Sequence, residues 1–161
     1  MTITIDITRQ DYYELNKFHF KQTKLKNTII IGIVVTTLIL FFVNKDGFDI
    51  TITLLIIIVC SFGIILGINR NLKSTKNLPD EQGSILGERV IQFTDDKISY
   101  KMKNAQGINE WDSVKSLKES STAFYLYLDT AVAIIIPKRY FEDADQIKDF
   151  KILVNNNLVH Q

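Results

Sequence analysis

Residues Thr28–Ile68 read TIIIGIVVTTLILFFVNKDGFDITITLLIIIVCSFGIILGI, two apolar runs separated by VNKDGFD, Val43–Asp49. The fold turns on whether that polar break is a loop inside a soluble core or the turn of a membrane hairpin. The first run is uncharged from Thr28 to Val43, and extended back to Leu25 it reaches nineteen residues. Nineteen helical residues cover about 28 Å, close to the roughly 30 Å hydrocarbon core, with Lys26 able to extend its ammonium to the headgroups. The second run, Ile50–Ile68, is also nineteen residues long and uncharged. Both are rich in β-branched residues, which suits buried strands, but strands rarely exceed about ten residues and nothing divides these runs into shorter pieces. The sequence therefore predicts two transmembrane helices over about 25–43 and 50–68, a hairpin spanning 27–68, with Asn44–Gly47 as the outer turn.

Charge orients the hairpin. Lys17, Lys21, Lys24 and Lys26 precede the first span and Arg70, Lys73 and Lys76 follow the second, whereas the turn carries only Lys45 beside Asp46 and Asp49. Basic residues collect on the cytoplasmic side, so both termini are expected there, in a multi-pass protein of the bacterial inner membrane. Apart from Lys26 at the edge of the first, neither span contains an ionisable acid, base or histidine, which leaves a proton relay or ion-coupled transporter without machinery. Gly63 and Gly67 have the GxxxG spacing that lets helix backbones approach closely. They could serve a homodimer, but packing against the first span, where Gly32 and Thr36 share the spacing, is the favoured reading.

The remaining composition narrows the partners. Residues 1–26 and 27–76 each carry a net charge of +2, and residues 77–161 carry −3. A mildly acidic C-terminal part excludes nucleic acid, which requires dense cationic surface. One cysteine, Cys60, and two histidines, His19 and His160, exclude a disulfide framework and make most metal sites improbable. Glu142, Asp143 and Asp145 resemble a metal cluster, but acids are favoured at a helix start by the dipole alone. A Gly-rich phosphate loop, GxSxG, HExxH and CxxC are all missing, so neither catalysis nor a cofactor is expected.

Flanking the spans are soluble elements. In TITIDI, Ile3, Ile5 and Ile7 alternate as in a half-buried strand, and Thr8 with Asp11 forms a capping box for an amphipathic helix in segment 1–26. That strand needs a sheet, and the only candidate follows the linker 69–83. Residues 84–161 read as six short strands (GERVIQFT, KISYKMK, INEW, VKSLKES, AFYLYL, AVAIIIP) and a helix near 145–157. The fold class expected is α+β, a two-helix transmembrane hairpin plus a curved antiparallel β domain capped by a C-terminal helix.

VIQFTDDKIS, WDSVKSLKES, FYLYL and especially IIIPKRYF resemble the C-terminal domain of the YcxB-like proteins, small bacterial membrane proteins, over roughly residues 84–157. The resemblance implies two preceding spans and a pleckstrin-homology-like fold, and little chemistry. Trp111, Lys138, Arg139 and Phe141 are the candidate interaction surface, although each also has an ordinary role as core anchor or solvated base. A role as adaptor or regulator that binds another protein beside the bilayer is the leading expectation. An immunity factor against a membrane-acting or secreted toxin, and an anionic-lipid sensor, are the alternatives.

Overall fold

The computed structural model describes residues 1–45, 47, 49–80, 83–103 and 105–159. Asp46 and Phe48 of the turn region, Glu81 and Gln82 of the linker, Asn104 of the NAQG turn, His160 and Gln161 lie outside the described residues. The chain divides into two compact units, Met1–Leu15 with Lys76–Gln161, and Asn16–Thr75.

The first unit is antiparallel β-structure with a C-terminal helix. β1 (Thr2–Ile7), β2 (Gly87–Phe93), β3 (Lys97–Met102) and β4 (Gln106–Glu110) form one sheet in that order. β5 (Ser116–Glu119), β6 (Ala123–Tyr127) and β7 (Ala133–Pro137) form a second. The N-terminal strand thus joins a sheet made after the apolar runs, with Ile3 opposite Ile91 and Ile5 opposite Arg89. Its alternation puts Ile3, Ile5 and Ile7 inside and Thr2, Thr4 and Asp6 outside. The meander divides into the two sheets at Trp111–Ser113, a single 3₁₀ turn. Trp111 turns into the core there, and its indole Nε1 donates to Thr94 O at 2.9 Å, which pulls the chain off the edge of β4. Gly87 opens β2 at φ 99°, a conformation costly for any residue with a Cβ.

Helix α1 (Arg9–Thr23) starts from the expected capping box: Thr8 N donates to Asp11 Oδ2 at 2.8 Å, and Asp11 N to Thr8 Oγ1 at 3.3 Å. The C-terminal helix runs Ala144–Val159 (α4 below), with Phe150 and Val154 fully buried. Phe150 meets Phe93, Phe124 and Phe141 at centroid distances of 5.2–5.4 Å, so one aromatic cluster ties the helix to both sheets.

The second unit contains α2 (Leu25–Val43) and α3 (Ile50–Thr75). Both are long and apolar enough to cross a membrane. Many of their apolar side chains are exposed, Phe42 by 70% and Ile58 by 65%, which makes a large apolar surface. α3 continues past Ile68, so residues 69–75, at the start of the expected linker, are helical. Between the helices, Asp49 caps α3 through Thr51 N and Ile52 N, and Asn44 accepts from Asp49 N.

Candidate functional site

The PKRYF segment is built so that neighbouring residues go to different places. Pro137 ends β7, Lys138–Tyr140 makes one 3₁₀ turn, and Phe141 re-enters the core beside Phe124 and Phe150. Arg139 forks onto Asp11, Nη1 to Oδ1 at 2.5 Å and Nη2 to Oδ2 at 2.7 Å. Its Nη2 also donates to Asp6 O at 3.1 Å, and the Tyr140 hydroxyl donates to the same carbonyl at 2.9 Å. One side chain thereby joins the end of β1 and the start of α1 to the turn after β7. Burial pushes the Asp11 carboxyl upward, but hydrogen bonds from Arg139 and Thr8 outweigh it and hold the group below its ordinary value. Asp11 likewise raises the Arg139 pKa. The Asp11 side chain is 10% exposed and that of Arg139 is 48%, so water screens the cation while the acid depends on it.

Lys138 takes part in a second, wetter cluster. Its Nζ lies 2.6 Å from Glu119 Oε1, and Lys151 Nζ lies 2.7 Å from Oε2 of the same carboxylate. Hydrogen bonds from the two lysines lower the Glu119 pKa. Both ammonium groups also stand over the Phe124 ring, at 4.9 and 5.4 Å.

Of the four residues singled out as an interaction surface, two face the core and two are ion-paired. Trp111 and Phe141 are buried at 5% and 9% exposure, and Lys138 and Arg139 are held in intramolecular ion pairs. Sequence reasoning missed Asp11 and Glu119 as the acids that hold these bases, since pairing across 128 and 19 positions leaves no local trace. The acids near 142–145 also have a structural use: Asp143 caps α4, accepting from Gln146 N at 2.7 Å.

In the other unit, a Cβ built on Gly32 would stand 2.5 Å from Ile64 Cδ1, so α2 and α3 pack closely at this glycine. A Cβ on Gly63 or Gly67 would meet open space. They line an apolar groove together with Thr36 and Cys60.

Residues 93–151 match the YcxB-like protein family. No curated protein and no solved structure matches the chain. The YcxB-like segment runs from the last residue of β2 into α4 and contains Trp111, Glu119, Lys138, Arg139 and Phe141. Asp11, the partner of Arg139, comes from outside it, so the YcxB-like segment is completed in this fold by the N-terminal strand and helix.

Proposed function

We propose that the chain is a non-enzymatic adaptor or regulator of the bacterial inner membrane, whose cytoplasmic pleckstrin-homology-like domain binds another protein. A four-stranded and a three-stranded antiparallel sheet followed by a C-terminal helix is the strand count and order of a pleckstrin-homology-like domain, which supports that part of the reading. Pairing of β1 with β2 supports both termini on one side, because a strand before two spans can reach a strand after them only if the chain returns to the starting face. The basic flanks favour the cytoplasmic face.

One observation carries the choice of partner surface. On the outer face of the first sheet, Val90 and Ile108 are 40% and 63% exposed, and Lys101 stands directly opposite Val90. An apolar pair beside a cation, on the exposed face of a sheet whose β4 edge lies open, is chemistry suited to a protein partner. Neither residue contributes to the buried cluster around Phe150, so changing them should spare the fold. Capture of the full chain from membranes in mild detergent should lose its protein partner when Val90→Asp and Ile108→Asp are combined, with Trp111 fluorescence unchanged. Retention of the partner by the double variant would contradict this assignment, and retention through the hairpin alone would favour an immunity role.

A further inference from the structure

β2 sets an arginine on its inward face. In GERVIQF, Arg89, Ile91 and Phe93 share the phase that faces the interior, while Glu88, Val90 and Gln92 face solvent. Arg89 borders a cavity of about 480 Å³ walled by both sheets and the first turns of α1. Ile91, Met102, Leu128 and Ile135 give it an apolar lining.

The guanidinium is incompletely satisfied. Its Nη2 donates to Ile85 O at 2.5 Å and reaches Ser84 O at 3.5 Å. Its Nε is buried without a hydrogen-bond partner. Among the described residues no carboxylate forms an ion pair with it, and burial lowers its pKa despite the fields of Tyr100 and Asp6. A buried donor without an acceptor is costly, and leucine at this inward position would remove that cost. A ligand cavity, by contrast, needs this combination of extended apolar wall and one positioned polar anchor, in a volume within the range of about 300–1,000 Å³ typical of small-molecule sites.

We propose that this cavity binds a single-chain amphipathic carboxylate, a fatty acid, with its head group on Arg89 and its chain along the apolar lining. A carboxylate is planar, accepts from adjacent guanidinium donors and brings one charge to match one. A phosphate monoester carries nearly two charges and would leave excess anion in an apolar space that already feels Asp6. The site is independent of the partner surface at Val90 and Ile108, which lies on the opposite face of the same sheet.

The test uses the full chain in nanodiscs of zwitterionic lipid and a laurate analogue with a photoreactive diazirine in its chain. Adducts should map to β2, β3 and the segment around Leu128–Ile135. Laurate should compete for them and lauryl alcohol should not. Arg89→Gln should cut the adduct yield about tenfold or more, as expected for loss of a charged hydrogen bond. Ala133→Leu, which keeps Arg89 and fills the cavity, should do the same with Trp111 fluorescence unchanged. Adducts confined to α2 and α3, equal competition by lauryl alcohol, or undiminished labelling in a folded Ala133→Leu protein would each overturn the proposal.

Discussion

Replacing Ile5 with alanine should destabilise the β-sheet unit by about 4 kcal/mol, near the top of the range for burying and then truncating an isoleucine. Ile5 is 1% exposed in the middle of β1, paired opposite Arg89 and flanked on the same face by Ile3 and Ile7. Each of these side chains contributes about 1.5–3 kcal/mol by leaving water, and together they offset the cost of ordering a strand held by one neighbouring strand in its sheet. A domain is typically stable by only about 5–15 kcal/mol, so this one truncation should remove a large share. Trp111 is the only tryptophan and is buried in this unit, so its emission during denaturant titration in detergent follows the unit without interference from the apolar helices. A shift below about 1 kcal/mol would mean that residues 2–7 do not supply core to the sheet.

Arg139→Met should cost about 2 kcal/mol at neutral pH by leaving the Asp11 carboxylate buried without its cation. The figure sits below the range for fully buried pairs because Arg139 is half exposed and already screened by water. The pH dependence separates this from lost packing. Asp11 is held below its ordinary value of 3.8, so the pair contributes fully above that value and its contribution disappears as pH falls through the lowered native value. The gap between wild type and Arg139→Met should therefore be constant above about pH 5 and close below about pH 4. A gap independent of pH would assign the loss to the arginine's packing on Tyr140, whose ring centre is 4.6 Å from the guanidinium carbon.

The two long apolar helices were legible because apolar runs of sixteen and nineteen uncharged residues have few other uses, and the strands because alternation and turn residues recur at short intervals. TITIDI announced its inward face, and the T-x-x-D box after it forms as read. The missing information was of two kinds. Direction at chain reversals is set by tertiary packing: whether Trp111 and Phe141 point out or in depends on the cavity each fills, and both fill the core. Pairing at a distance is silent in sequence, so Arg139 read as a solvated base although Asp11 was waiting in the N-terminal helix. Arg89 differs from both. Its phase with Ile91 and Phe93 was visible in GERVIQF, and a cation in the apolar phase of a strand is itself a signal.

The most direct measurement asks whether residues before the hairpin pair with residues after it. Thr4 and Val90 stand opposite each other on the outer face of β1 and β2, and Cβ atoms in that relation are about 5 Å apart. With Cys60 replaced by alanine, Thr4→Cys and Val90→Cys together should give an intramolecular adduct with a short bifunctional maleimide in native membranes. Thr4→Cys with Gln106→Cys, placed on the far edge strand β4, should give little. Equal yields from the two pairs, or covalent dimers in place of the intramolecular product, would contradict a sheet that one chain closes across its own pair of apolar helices.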